Sequence, residues 1–284
     1  MKIFKYFIEA LIIYIFFFII KLIGLKFSRI IFSFIFKKIG PILKSKNVIN
    51  KNLNIFSEKL SVNRKLEIKN NMWDNYAKTF VEYMFLNKFR KESEHITIEG
   101  KEILDEISHS GHPVIFVSGH FANFELMSME ITKNKIKLAT IYRKLNNFFL
   151  NPLMEYIRRN YVCFNQIQKG KSGLKSCINY LQRNTSIALM IDQRLGEADR
   201  ANFFNKAAHT TTLPAQLAFK YNLDIVPIFI ERDQNNYFKM KVYDRISSNK
   251  FADRKELTLF LNKILEKMII AKPDQWIWTH DRWK

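Results

Sequence analysis

The sequence predicts an α/β protein: a largely parallel sheet covered by helices on both faces, preceded by a hydrophobic, membrane-anchoring helix. Three features point there. From residue 96 onward, short runs of strand length alternate with stretches of helical period, which implies crossover connections between parallel strands. Several of those runs are apolar throughout, as strands buried on both faces are. The first forty residues form a separate and much more apolar pattern.

Between Tyr6 and Ile20 the only charge is Glu9. As a helix these fifteen residues reach about 22 Å, short of the roughly 30 Å of a hydrocarbon core. Phe27, Ile30, Ile31, Phe34 and Ile35 then interleave with Lys26, Arg29, Lys37 and Lys38, the pattern of an amphipathic helix on an anionic membrane surface. Lys2 and Lys5 ahead of the apolar run also resemble a secretory signal, yet no small-residue cleavage site follows. A buried helical hairpin is the other reading. Basic residues after Ile20 favour the cytoplasmic side for the remainder. We therefore divide the chain into membrane-anchoring or interfacial helices at 1–40 and one domain at 41–284.

Residues 66–89 carry Met72, Trp73, Tyr76, Phe80, Tyr83 and Met84 at steps of three and four, one face of a core helix. Strands are expected at 113–118, 136–142, 186–191 and 225–230. Helices are expected at 121–132, 147–159 and 171–182, from Pro214 to Tyr221, and at 254–270.

At 284 residues the chain can bury a full core, and 48% hydrophobic with 25% charged residues describes an ordered protein. The excess of 46 Lys+Arg over 26 Asp+Glu, a net charge of +20, suits anionic lipid or an acidic carrier protein, although a composition rich in Lys, Ile, Asn and Phe accounts for part of it. Nucleic acid is disfavoured because no zinc finger or RNP-like motif is present. Cys163 and Cys177 lack metal-type spacing and read as free buried thiols, and the six histidines form no H-E-x-x-H pattern, so neither a metal nor a cofactor is expected.

In a parallel sheet, sites gather at the carboxyl ends of the strands. Those ends read Ser118-Gly119-His120, Tyr142-Arg143-Lys144, Asp192-Gln193-Arg194 and Glu231-Arg232. His120 is the expected general base, and Glu125, five residues on in the first turn of the next helix, is expected to hold its tautomer. Backbone amides at 121–123 would meet a developing oxyanion, and Gly119 would let the chain turn before the histidine. Arg143 is expected to bind phosphate or stabilise charge, with Asn123, Asp192 and Arg194 as further substrate-binding residues. Ser118 and Cys163 have no base at a supporting spacing, so no covalent intermediate is expected. A histidine at a strand end is also compatible with a structural role, which would leave a non-catalytic basic membrane-binding protein.

The stretch G-H-F-A-N-F-E resembles the H-x4-(D/E) signature of glycerolipid acyltransferases and, in its detail, the late acyltransferases of lipid A biosynthesis. W-D-N-Y-A-K-T-F-V-E-Y, I-E-G-K-E-I-L, I-Y-R-K-L-N-N, D-Q-R-L-G, F-F-N-K-A-A-H-T-T-T and Q-W-I-W-T-H-D-R-W-K resemble that family in the same order along nearly the whole chain. Ala122 and Phe124 stand where the family usually has Gly and Trp, Asn205 where Gly is usual, and Lys144 where Pro is common. The resemblance implies transfer of an acyl chain from acyl-acyl carrier protein to a hydroxyl of a lipid A precursor. It also implies a place at the cytoplasmic side of a bacterial inner membrane. A glycerophospholipid or a mannosylated glycolipid is the alternative acceptor.

Overall fold

A computed structural model of the chain describes residues 2–43, 46–194 and 199–284, so the Leu195-Gly196 end of D-Q-R-L-G lies outside the described residues. Four helices come first: α1 (Lys2–Ile23), α2 (Leu25–Leu43), α3 (Lys46–Phe56) and α4 (Val62–Glu82). Ser61 starts α4 by accepting the Arg64 N–H, and a 3-10 turn (Tyr83–Phe85) leads from its end into α5 (Leu86–Lys91). Ile68, Met72, Ala77 and Val81 form the buried face of α4, as the spacing predicts. The helix α2 runs on through Gly40 and Pro41 and packs along α4. Gly40 permits this contact, because a Cβ there would lie 2.4 Å from the Trp73 ring.

The α/β part follows as β1 (Ile96–Glu99), α6 (Lys101–Ser110), β2 (Ile115–Ser118), α7 (Glu125–Lys133), β3 (Leu138–Tyr142) and α8 (Asn151–Ile157). A π-helical turn (Arg158–Val162) extends α8; then come β4 (Asn165–Gln168), α9 (Lys171–Leu181), β5 (Ser186–Met190) and a hairpin of β6 (Arg200–Phe203) and β7 (Lys206–His209). The chain closes with α10 (Leu213–Tyr221), β8 (Asp224–Arg232), β9 (Phe238–Val242), β10 (Ile246–Ser247) and α11 (Arg254–Ala271).

The main sheet is ordered β1-β9-β8-β2-β5-β3-β4, with β10 added antiparallel to β8. From β8 to β4 the five neighbours are parallel, and β9 runs antiparallel to β8. The expected fold class is therefore present, and the carboxyl ends of β2, β3, β5 and β8 share one edge. Every residue of β2 is buried, as its unbroken I-F-V-S run requires.

One local expectation differs. The helix expected from residue 121 begins at Glu125, because the chain after His120 is curled rather than helical and Ala122 holds a left-handed φ of 42°. The C-terminal tryptophans form a strap over the core: Trp276, Trp278 and Trp283 are buried, with indole N–H groups donated to Asp192, the Pro273 carbonyl and the Phe203 carbonyl.

Candidate active site

The register of the sheet assembles the site. Ser118 at the end of β2 pairs with Met190 at the end of β5, so His120 and Asp192, each two residues farther on, emerge side by side. The His120 ring Nδ1 lies 2.8 Å from Asp192 Oδ1, and the His120 backbone N–H donates to Oδ2 at 2.7 Å. The Trp276 indole donates to the same Oδ2 at 2.9 Å. Asp192 is fully buried; burial alone would push its carboxyl up, but the charge of His120 and these hydrogen bonds hold it below the ordinary aspartate range. An ionised Asp192 keeps the proton on Nδ1 and leaves Nε2 as the basic nitrogen. Gly119 is needed for room: a Cβ there would come within 2.8 Å of Phe121, 2.9 Å of Leu265 and 3.3 Å of Asp192 Oδ2.

Glu125 does not hold the His120 tautomer. Its carboxylate accepts from Arg158 Nε at 2.8 Å and Nη2 at 2.7 Å, and from the Tyr83 hydroxyl. Against the desolvation that disfavours its charge, the guanidinium is held above its usual range by Glu125, and burial beside that carboxylate pushes the Tyr83 phenol up. The physical reason is the turn at Ala122, after which Glu125 enters α7 facing α4 and the π-helical turn. The amides expected to meet an oxyanion are also partly committed, since Phe121 N donates to Gly119 O and Ala122 N to Gln275 O.

A second buried network fixes this loop from behind. Glu82, fully buried, accepts from Arg29 of α2 at 2.7 and 2.8 Å, from Arg232 at 3.0 Å and from Asn123 at 2.9 Å. Its burial favours the neutral acid, yet Arg232 and Arg29 keep the carboxyl below the ordinary range. Thr79 donates to the Ala122 carbonyl at 2.9 Å, and the Gln275 side chain brackets the Arg232 backbone N–H and C=O.

His120 lines a cavity of about 810 Å³. Phe116, Met127, Ile131, Ile167, Leu174 and Cys177 form apolar walls, and Arg143, Lys144, Arg158 and Lys169 bring positive charge to it. Of the residues expected from the sequence, His120, Glu125 and Arg143 line this space. Asn123 instead supports the loop through Glu82, Asp192 supports His120, and Arg194 donates its backbone N–H to His280 Nε2 at 2.7 Å. Arg143 is exposed at the rim, 3.5 Å from the Asn146 side-chain oxygen. Gln193 and His280 also line the cavity, and Gln193 Nε2 lies 3.4 Å from His120 Nε2.

The sequence reading missed Gln193, Arg158, Tyr83 and the Asp192–His120 pairing. Ser118 donates to the Ile228 carbonyl at 2.5 Å, and burial pushes the thiols of Cys163 and Cys177 up to about 11, so none of the three is poised as a nucleophile. Among the described residues no cluster of His, Cys, Asp and Glu has the arrangement of a metal site.

Comparison with known proteins adds three findings. A family model described as bacterial lipid A biosynthesis acyltransferase matches residues 1–284. The lipid A biosynthesis acyltransferase 2 of Shigella flexneri is 25% identical over 201 residues, 68% of this chain and 61% of that protein. The lipid A biosynthesis palmitoleoyltransferase of Escherichia coli K12 is 24% identical over 193 residues, 66% of this chain and 61% of that protein. The match thus spans about three fifths of the length of these relatives. Among solved structures, the 1-acyl-sn-glycerophosphate acyltransferase of Thermotoga maritima aligns with a TM-score of 0.44 at 13% identity, over 89% of this chain and 100% of that one.

Proposed function

The chain belongs to the bacterial lipid A biosynthesis acyltransferase family, and from that premise we propose that it transfers a fatty acyl chain from acyl-acyl carrier protein to a hydroxyl of a lipid A precursor. One observation carries the chemistry: a buried, ionised Asp192 holds Nδ1 of His120, leaving Nε2 as the basic nitrogen facing the cavity beside the Gln193 amide.

In this reading the acceptor hydroxyl, on a 3-hydroxyacyl chain, lies against His120 Nε2 and gives up its proton as its oxygen attacks the thioester carbon. The resulting imidazolium is stabilised by Asp192. When the tetrahedral centre collapses the carbon–sulfur bond breaks, and the imidazolium returns the proton to the departing thiolate. The Gln193 amide, beside Nε2, is the donor we assign to the oxyanion. Apolar walls receive the acyl chain, while the cations at the rim, Arg143 among them, face the phosphates of the acceptor and the acidic carrier. Glu125 serves by holding Arg158 at the cavity wall. The catalytic part acts at the cytoplasmic face of the inner membrane.

Mass spectrometry of the purified protein mixed with acyl carrier thioester and a tetra-acylated lipid A precursor tests this directly. The expected product is heavier by one fatty acid less one water. Transfer to a lysophospholipid but not to the lipid A precursor would move the assignment to a glycerophospholipid acceptor. Binding to anionic liposomes with no transfer to either acceptor would remove the catalytic reading.

A further inference from the structure

The helix α1 has the length and composition of a membrane-crossing helix, yet it is docked lengthwise on the catalytic body. Near its start, the buried Asn147 side chain donates to the Tyr6 carbonyl at 2.7 Å, and the Phe7 ring meets Phe149 edge-on at 5.7 Å. In its middle, the Tyr14 hydroxyl donates to the Phe149 carbonyl at 2.8 Å. Toward its end, Phe17 stacks on Phe80 of α4 at 5.0 Å, and Ile20 is fully buried. These anchor points run from Tyr6 to Ile20, about 21 Å along a helix axis, most of the thickness of a hydrocarbon core. A crossing helix would have to surrender them all.

The opposite side of α1 is a continuous greasy stripe. Phe4, Ile8, Leu11, Ile15, Phe18 and Leu22 recur at steps of four and three, and their exposures range from 38% to 71%. Phe27, Ile30, Ile31 and Phe34 extend this apolar face along α2. Cations mark both ends of α1: Lys2 and Lys5 at one, Lys21 and Lys26 at the other, all exposed. The loop that grips α1 is also a lip of the cavity, since Leu145 and Asn146 line the cavity and the next three residues hold the helix.

We infer that α1 lies in the plane of one anionic phospholipid leaflet, both ends on the same side of the membrane, and sets the cavity lip at headgroup depth. The stripe then sits among acyl chains while the lysines at both ends reach phosphates of the same leaflet. A lipid acceptor reaches His120 sideways from that leaflet. This deepens the proposed reading by assigning the route of the acceptor, and the sidedness measurement below needs no acyl transfer, so the two readings can fail separately.

The full-length protein carrying Lys2→Cys, Lys26→Cys or, as a reference on the catalytic body, Lys250→Cys is to be labelled with a membrane-impermeant maleimide. Sealed right-side-out and inside-out membrane vesicles are compared, with the unsubstituted protein as control because Cys163 and Cys177 are buried. All three positions are expected to react from the same side. Reaction of Lys2→Cys only from the side opposite to Lys26→Cys would overturn the inference. In a second arm, Phe4→Lys/Leu11→Lys/Phe18→Lys is expected to lower cosedimentation with phosphatidylcholine–phosphatidylglycerol vesicles by about tenfold or more. Undiminished cosedimentation of this variant would show that the stripe is not the lipid-facing surface.

Discussion

Asp192→Asn is an almost isosteric change whose effect can be worked from the hydrogen bonds around it. Oδ2 accepts two N–H groups, from the His120 backbone and the Trp276 indole. The amide oxygen of the new side chain must therefore occupy the Oδ2 position, since an NH2 group there would face two donors. That places the NH2 where Oδ1 was, pointing at Nδ1 of His120. Nδ1 then has to accept, the proton moves to Nε2, and the nitrogen facing the cavity can no longer take a proton. Loss of the base should lower kcat/KM by roughly 10²–10⁴-fold, or about 3–5 kcal/mol of transition-state stabilisation. The fold should persist because all three hydrogen bonds keep a partner. The assay is initial-rate acyl transfer from carrier thioester with the acceptor varied, beside circular dichroism of the same preparation. A folded Asp192→Asn protein within tenfold of wild type would refute the tautomer argument.

Three further expectations concern the supports of the site. Arg158→Met strands the buried Glu125 carboxylate and should cost about 3 kcal/mol in urea denaturation, with much of the loss recovered in Arg158→Met/Glu125→Gln; equal stability of the single and double variants would deny the pair this role. Ala122→Gly relieves a left-handed alanine and should gain about 1 kcal/mol after the extra chain entropy of glycine is subtracted, which a rise in the urea midpoint would report. His95 is buried, and its ring nitrogens have no hydrogen-bond partner; burial, then Lys133, push its pKa down to about 4, with Glu82 opposing and Arg29 assisting. Between pH 6.5 and 4 the unfolded chain binds this proton and the native protein does not. Stability should therefore fall with falling pH by up to about 3 kcal/mol more in wild type than in His95→Phe, and parallel pH curves for the two proteins would exclude the effect.

The strands that carry the site were legible because I-F-V-S and the apolar run of β8 are buried almost throughout and S-I-A-L-M-I is buried or half-buried, so none shows polar alternation. Strand β4, N-Q-I-Q, was not, since it lies at an edge with only Ile167 buried and carries little hydrophobic signal. His120 was legible as the residue after a strand and a glycine. Its partner was misread because spacing along the chain reveals only local neighbours, and Glu125 is five residues away. Asp192 is 72 residues away and becomes adjacent only through the β2–β5 register. Two departures from the resembled family fall on left-handed backbone: Ala122 at φ 42° and Asn205 at φ 56° stand where glycine is usual, and glycine adopts that conformation without strain. The links of Tyr83 and Arg158 to Glu125 were invisible for the same reason as the Asp192–His120 pairing, since they reach Glu125 from the 3-10 turn after α4 and from the π-helical turn across the packed interior.

The most direct test of the central claim is single-turnover acyl transfer by His120→Ala. With the acceptor and carrier thioester both saturating, the reasoning requires a loss of roughly 10²–10⁴-fold in the chemical step. The variant should retain wild-type vesicle binding and circular dichroism, while its urea midpoint falls because the buried Asp192 Oδ1 loses its partner. Near-normal transfer by a folded His120→Ala protein would contradict it and return His120 to a structural role.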